Sequence, residues 1–198
     1  MIKKLLRLWK WRREVRTAVG RISSIYEGAE GADALGGLTD EEISGLIRWL
    51  PPQGTVVEIG TLFGLTAIEL ARHSAEGVKI IAVDNFCWNP FGLPKAAHEN
   101  FTRRILRPWI ENGKIDLLAM DSLTFRDSLK QAPEMVFLDA DHRYETVKEE
   151  ILWAKKIGVK IICGHDYGNK KFGVTKAVDE AFPAGIEKAG MCWRGRYC

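Results

Sequence analysis

The chain has 198 residues, of which 46% are hydrophobic and 28% are charged, a composition typical of one folded domain and not of a disordered or fibrous protein. No stretch approaches the ~20 apolar residues that a membrane-spanning helix needs. Its first 21 residues hold eight of the 29 Lys/Arg and one of the 26 Asp/Glu. The remainder therefore carries a net charge of −4, which argues against nucleic acid as its partner.

The basic start of the chain predicts an amphipathic helix over residues 1–26, because apolar side chains recur at helical spacing between residues 2 and 22. Such a helix is compatible with packing on the body, with a subunit contact in a homo-oligomer, or with an anionic membrane surface. Residues 27–38, rich in Gly and Ala, predict a linker, and residues 39–198 predict a single domain.

The cysteines and the N-terminus both indicate an intracellular setting. No two cysteines form a CxxC pair, which is the usual spacing of a zinc site. Basic residues interrupt the apolar positions near the start, so no core of signal-peptide length is present. We therefore expect a reduced, cytoplasmic protein with free thiols. The four cysteines are Cys87, Cys163, Cys192 and Cys198.

Predicted helices and strands alternate along the body. A capping box, Thr39-Asp-Glu-Glu42, starts a helix that Pro51-Pro52 must end near Leu50. Five continuously apolar runs follow, which is typical of parallel strands covered on both faces. These runs are 56–59, 80–83, 115–120, 135–138 and 159–163, and they alternate with helical segments at 65–74, 95–112, 123–131 and 144–157. A final helix at about 174–182 and a strand pair within 184–197 complete the predicted α/β fold, a doubly wound, mostly parallel, Rossmann-like sheet.

Acidic or polar residues stand at the end of each of the five apolar runs. The carboxyl ends of parallel strands share one edge of a sheet, and ligands bind there at the point where the strand order reverses. A single acid after a strand is ordinary turn chemistry, whereas five in phase predict one ligand cleft. In chain order these residues are Glu58, Asp84, Asp121, Asp139 and the pair His165-Asp166.

The first strand leads into a glycine-rich turn, Glu58-Ile-Gly60-Thr61-Leu-Phe-Gly64, where a ligand can approach the backbone closely. The turn is not the G-x-G-x-x-G dinucleotide fingerprint, and the carboxylate of Glu58 would repel a pyrophosphate. It favours a cationic ligand without phosphate. A nicotinamide-dependent enzyme shares this fold class and is the disfavoured alternative.

Glu58-x-Gly60-x-x-x-Gly64 resembles the first motif of class I S-adenosylmethionine (SAM)-dependent methyltransferases. Asp84 matches the acid that accepts the ribose hydroxyls in that family, and Asp121-Ser122 match the position beside the adenine. The resemblance extends over about residues 54–182 and implies that the chain is an enzyme.

The fourth and fifth strand ends resemble one branch of that family. The segments are Phe137-Leu-Asp139-Ala-Asp141-His142-x-Tyr144 and Gly164-His165-Asp166-Tyr167, followed by Gly173-Val174. This branch contains catechol-type O-methyltransferases and small bacterial enzymes of methyltransferase family 24, so the resemblance implies O-methylation of a small molecule or sugar. The SAM-binding residues that it implies are Glu58, Gly60, Thr61, Gly64, Asp84, Asp121, Ser122 and Asp139.

The resemblance also implies catalytic roles for Asp139 and His165 and a divalent metal ion on Asp139, His165 and Asp166. His165 stands where the branch has a carboxylate, which favours a softer ion such as manganese or zinc, or no metal. His165 is alternatively a general base, because an unperturbed imidazole has a pKa of ~6.5. His142 is a second candidate base.

Three further alternatives stay open. The loop Asn169-Lys170-Lys171-Phe172 is either solvated or covers the acceptor. The pair Asp139-x-Asp141 alone is also compatible with the metal site of a nucleotide-sugar enzyme. A methyltransferase fold can also serve a non-catalytic binding or scaffold protein.

Overall fold

The computed structural model describes residues 37–197. The basic helix predicted for residues 1–26 and nearly all of the linker predicted for residues 27–38 lie outside this range. The elements, in chain order, are α1 (Asp40–Trp49), β1 (Gly54–Ile59), α2 (Leu65–His73), β2 (Val78–Asp84), α3 (Lys95–Glu111), β3 (Ile115–Ala119), α4 (Ser122–Ser128), β4 (Met135–Leu138), α5 (Tyr144–Ile157), β5 (Ile161–Gly164), α6 (Val174–Ala181), β6 (Ile186–Ala189) and β7 (Cys192–Gly195).

The strands form one seven-stranded sheet in the order β3-β2-β1-β4-β5-β7-β6. Strands β1 to β5 pair in parallel, and β7 runs antiparallel to both β5 and β6. The predicted doubly wound, mostly parallel sheet is therefore confirmed. The strand order reverses between β1 and β4, which is where a ligand crevice forms in this class of sheet.

Each face of the sheet carries a separate apolar core. Neighbouring residues of one strand point to opposite faces, so Val56 packs in the core beneath α1, α2 and α3. Val57 packs in the core beneath α4, α5 and α6. This two-sided burial is the physical reason that the strands read as continuous apolar runs and not as alternating ones.

Helix α1 begins with the predicted capping box. The Thr39 amide donates to Glu42 Oε2 at 2.9 Å, and the Glu42 amide donates to Thr39 Oγ1 at 3.3 Å. The helix ends at Trp49, directly before Leu50 and the two prolines. The capping box thus fixes the start of α1 as the sequence predicts.

Several predicted boundaries shift by one to three residues. β5 begins at Ile161 and not at residue 159, because Gly158 ends α5 in the left-handed conformation and the Val159 amide still bonds to Ala154 O at 3.0 Å. Helix α4 ends at Ser128, three residues before the predicted end, because Leu129 is already extended. Within residues 37–197, no helix combines the length and apolar character needed to cross a bilayer.

Candidate functional site

The acidic residues at the strand ends lie along one edge of the sheet. The strand order places them in the sequence Asp121, Asp84, Glu58, Asp139 and Asp166, from β3 across to β5. Asp84 and Asp139 lie close to Glu58, and their negative charges add to the effect of burial in raising the pKa of Glu58. The predicted convergence of acids at the β1–β4 switch point is therefore present.

The glycine-rich turn after β1 needs its glycines. Gly60 has φ 93° and Gly64 has φ 85°, a conformation that residues with a Cβ adopt only under strain. A Cβ on Gly60 would lie 2.3 Å from the carbonyl oxygen of Asp139, and one on Gly64 would lie 2.7 Å from Leu106 Cδ2. The turn thus packs directly against the first residue after β4.

Two side chains of α3 hold the middle of the same turn. His98 Nε2 donates to Leu62 O at 2.9 Å, and Thr102 Oγ1 donates to the same oxygen at 2.8 Å. Burial lowers the pKa of His98, which keeps its imidazole neutral. Leu62 has φ 47°, so its backbone is held in an uncommon conformation by these bonds.

Asp84, the predicted ribose ligand, also shapes the turn. Its Oδ2 accepts the amides of Thr61 at 3.0 Å and Leu62 at 2.8 Å, and its Oδ1 accepts the amide of Phe86 at 2.6 Å. A carboxylate offers about four acceptor positions, so one stays available for a ribose hydroxyl. No feature of the sequence predicted this structural role of Asp84.

Glu58 is fully buried beneath the turn. Thr61 Oγ1 donates to its Oε2, while its Oε1 has no hydrogen-bond partner among the described residues. Burial, with smaller contributions from Asp139 and Asp84, raises the pKa of Glu58 to about 8. A buried carboxyl oxygen without a partner is a place where a cationic ligand gains a strong interaction.

Asp121 and Ser122 lie at the end of β3, at the start of α4. Asp121 is the N-cap of α4 and accepts the amide of Thr124 at 2.8 Å and its hydroxyl at 2.7 Å. These two bonds lower the pKa of Asp121. Behind Ser122 lies Glu150 of α5, a buried carboxyl missed by the sequence analysis, whose pKa burial raises to about 7.

Four side chains after β4 and β5 form what we call the Asp–His cluster: Asp139, His142, His165 and Asp166. His142 Nε2 lies 3.0 Å from Asp166 Oδ2 and 3.7 Å from Asp139 Oδ1. His165 Nδ1 lies 3.8 Å from Asp139 Oδ1 and 3.7 Å from Asp166 Oδ2. The structure thus brings together the three predicted metal ligands and adds His142, which was predicted from the sequence as a candidate base and not as a metal ligand.

Three side chains of the cluster, those of Asp139, His142 and Asp166, place their ligand atoms close enough together that they could hold a cation. Ligand atoms around a tetrahedral ion at ~2.1 Å are separated by roughly 3.4 Å, close to the spacings in the Asp–His cluster. The ligand atoms of Asp139, His142 and Asp166 lie within 4.8 Å of one another. The buried His142 Nε2 makes no aligned hydrogen bond within the described part of the chain, although Asp166 Oδ2 is near.

The charges in the cluster are strongly coupled. Burial opposes the charged form of His165, but contacts with Asp166, Asp139 and Glu42 outweigh it and raise the pKa of His165 to about 9. Burial raises the pKa of Asp139. His165 is therefore protonated at neutral pH in this arrangement, which does not favour its predicted role as a general base.

The predicted loop at residues 169–172 borders the cluster. Phe172 stacks on His142 with ring centroids 4.3 Å apart, and the Gly173 amide donates to His142 O at 2.8 Å. Asn169 Nδ2 donates to Asp166 Oδ1 at 3.1 Å. The loop is thus attached to both sides of the cluster.

One residue of the site lies far away in the sequence. Glu42 of α1 is 3% exposed, and its Oε1 lies 3.1 Å from His165 Nε2. The capping box is a sufficient reason for a glutamate at position 42. No signal in the sequence therefore predicted its second contact, with His165.

Comparisons with known proteins identify the family and agree with the fold. A family profile described as a methyltransferase domain matches residues 57–167. No curated protein matches the chain. Among solved structures, an O-methyltransferase from Bacillus cereus in complex with SAH is 17% identical, with a TM-score of 0.56 and 86% of each chain covered.

Two further structures share the fold. A SAM-dependent O-methyltransferase from Thermotoga maritima is 14% identical with a TM-score of 0.54, covering 76% of this chain and 53% of its own. The O-methyltransferase of tomaymycin synthesis from Streptomyces achromogenes, in complex with SAM, is 16% identical with a TM-score of 0.51, covering 71% and 64%. This chain thus spans about half to two-thirds of the length of these two proteins.

The methyltransferase-domain profile matches more than half of the chain. The glycine turn, the acidic strand ends and the strand order are also in place. The chain therefore belongs to methyltransferase family 24 and is a class I SAM-dependent methyltransferase.

Proposed function

We propose that this enzyme transfers the methyl group of SAM to a hydroxyl oxygen of a small molecule or sugar. The observation that carries the proposal is the position of Asp139. Its carbonyl oxygen packs against Gly60 of the turn, while its carboxylate belongs to the Asp–His cluster. A cofactor held on the turn and an acceptor held at the cluster would therefore meet at one residue.

The cofactor half of the proposal rests on the turn and its acids. Glu58, with one unpartnered oxygen, is suited to a cationic group, and Asp84 keeps one acceptor position for a ribose hydroxyl. We assign Gly60, Thr61 and Gly64 to the close backbone approach, and Asp121 with Ser122 to the adenine side. Asp139 completes the set, as the sequence resemblance implies.

The acceptor half of the proposal is the Asp–His cluster. Two carboxylates and two imidazoles do not suit magnesium, which prefers oxygen ligands, but they suit manganese, zinc or another borderline ion. Such an ion, when bound, would orient the acceptor oxygen and lower the pKa of its hydroxyl. Asp139, His142, His165 and Asp166 would hold it.

The reaction forms a bond between the acceptor oxygen and the methyl carbon and breaks the bond from that carbon to sulfur, which leaves S-adenosylhomocysteine. The acceptor hydroxyl also loses its proton. When no ion is bound, we assign this proton to Asp139, because burial raises the pKa of its carboxyl and so makes it a better base. His165, with a pKa of about 9, already carries a proton at neutral pH. Most of the rate enhancement then comes from the alignment of donor and acceptor.

The proposal is tested by a turnover assay. The purified enzyme is incubated with SAM and a panel of catechols, hydroxylated aromatics and sugars, and S-adenosylhomocysteine is measured with a chelator, with Mn²⁺ or with Zn²⁺. We expect an O-methylated product, and a lower rate with Asp139→Asn at a SAM concentration that saturates the variant. A protein that binds SAM but yields no product with any acceptor would support the scaffold alternative, and methylation only at nitrogen or carbon would contradict the proposal.

A further inference from the structure

Glu42 connects α1, which precedes the segment matched by the family profile, to the Asp–His cluster. Both of its carboxyl oxygens have partners among residues 37–197. Its Oε2 accepts the amide and the hydroxyl of Thr39, both at 2.9 Å, and its Oε1 accepts the Met191 amide at 2.9 Å and faces His165 Nε2 at 3.1 Å. Both oxygens of the Glu42 carboxyl are thus held in place by hydrogen bonds within residues 37–197.

The contact decides which nitrogen of His165 faces the cluster. The backbone of His165 is fixed by its amide, which donates to Leu138 O at 3.2 Å, and by its carbonyl, which accepts Trp193 Nε1 at 3.1 Å. The ring can still rotate about its side-chain bonds. With Nε2 bound to Glu42, Nδ1 is the nitrogen that lies 3.8 Å and 3.7 Å from the carboxylates of Asp139 and Asp166.

We propose that Glu42 is a positioning residue that holds the His165 ring so that Nδ1, and not Nε2, is offered to the cation and acceptor at the cluster. The inference rests on the proposed function of the cluster. A histidine that binds a metal ion usually donates its other N–H to a carboxylate or carbonyl, which fixes the ring and strengthens the ligand. Glu42 is such a carboxylate, supplied by α1.

The neighbouring thiol does not compete for this role. Cys192 Sγ lies within 4.8 Å of the facing atoms of Glu42 and His165. Among the described residues, Cys192 Sγ makes no hydrogen bond to His165, whereas Glu42 Oε1 lies 3.1 Å from His165 Nε2. The carboxylate is thus the group that orients the ring from this side.

Three variants separate positioning from a merely structural role. Glu42→Ala removes the acceptor, while Glu42→Gln keeps an amide oxygen for His165 Nε2 and Met191. Thr39→Ala is the matched control, because it breaks the capping box at the same helix end, with an expected stability loss of about 1 kcal/mol, and leaves the Oε1 contact intact. If Glu42→Ala does not fold, Glu42→Met, which keeps the length without an acceptor, replaces it.

Two measurements detect how these variants change the orientation of the His165 ring and the affinity for metal. Nitrogen-edited NMR of the histidine side chains in the metal-free protein, assigned with His165→Ala, detects the hydrogen-bonded Nε2–H of His165. Titration with Mn²⁺ or Zn²⁺ gives the metal affinity. We expect wild type and Thr39→Ala to show the signal and the same affinity within a factor of two. Glu42→Ala should lose the signal and ~10- to 100-fold in affinity, and Glu42→Gln should keep the signal with a smaller loss.

Two outcomes would overturn the inference: a persistent Nε2–H signal with unchanged metal affinity in Glu42→Ala, or an equal loss in Thr39→Ala. The wild-type protein could bind no metal while the Nε2–H signals of wild type and variants follow the expected pattern. That result would contradict the metal part of the proposed function but support the orientation of His165 by Glu42.

Discussion

The two halves of the site are built in different ways. The turn after β1 is held by backbone amides and carbonyls, which bond to Asp84, His98 and Thr102. The Asp–His cluster is made of side chains from two strand ends, and α1 and a loop support it. We propose that the half built from backbone bonds is preformed for SAM, and that the half built from charged side chains selects the acceptor and any ion. Variants of each half test whether the two halves can be changed independently.

The largest effect is expected where the halves touch, at Gly60. In Gly60→Ala the new Cβ meets the Asp139 carbonyl at 2.3 Å, and neither backbone can move away. The free energy of unfolding, measured by urea denaturation, should fall by about 3 kcal/mol or more. Gly113→Ala is the control, since Gly113 also has a positive φ, of 75°, but has open space around it. Its cost should be about 1–2 kcal/mol, and equal losses would contradict the close packing of turn and cluster.

Asp84→Ala should disable the cofactor half alone. The variant loses three amide bonds that shape the turn and the predicted ribose contact, so calorimetry should show a loss of SAM affinity of about 100-fold, or 2.7 kcal/mol. Metal affinity should stay within a factor of two. Asp116→Ala removes a half-exposed acid that pairs with Lys79 and should change neither affinity. A parallel loss of metal binding in Asp84→Ala would show that the halves are not independent.

His142→Ala is the converse test, on the acceptor half. It removes one of the four ligands that we propose, so metal affinity and the rate of methyl transfer should each fall at least tenfold. Binding of SAM should be unchanged. His73→Ala, at a partly exposed histidine that pairs with Glu69, is the control. Full activity in His142→Ala would contradict a role for His142 in metal binding and methyl transfer.

Glu58→Gln should stabilise the free protein and weaken the complex with SAM. The pKa of Glu58 is raised from 4.5 to about 8, so its ionisation opposes folding: the penalty is absent below pH 4.5, grows as the pH rises and is complete above about 8. Thermal unfolding at pH 9 should show a gain of about 2 kcal/mol, with no gain at pH 4. A gain at neither pH would contradict the burial of an unpaired carboxyl.

The smallest effect is expected at Phe172, whose ring stacks on His142. Phe172→Ala should raise the KM for the acceptor about two- to fivefold, in line with about 0.5–1 kcal/mol for an aromatic stack. Binding of SAM and metal should stay the same. Leu152→Ala, at an exposed apolar residue on α5, is the control for the loss of surface hydrophobic area. An unchanged KM would place the loop outside the acceptor site.

The positions of the glycine turn and its acids were largely predictable because their signals are local. The glycines, Glu58 and Asp84 occupy fixed places relative to their own strands, and the edge of a parallel sheet brings such places together. What the motif did not reveal is that Asp84 bonds to the backbone of Thr61 and Leu62. That depends on how closely β1 and β2 place two loops, which is a matter of distance in space.

By itself the sequence determined the alternation of helices and strands, the edge on which the acids gather and the class of cofactor, because periodicity and strand-end chemistry are local properties. Only the tertiary structure decided that His142 joins the cluster and that Glu42, 123 positions before His165, supports it from another helix. Both contacts arise where separate elements pack against the same edge. Their energies depend on burial and on the orientation of the side chains, which no spacing along the chain encodes.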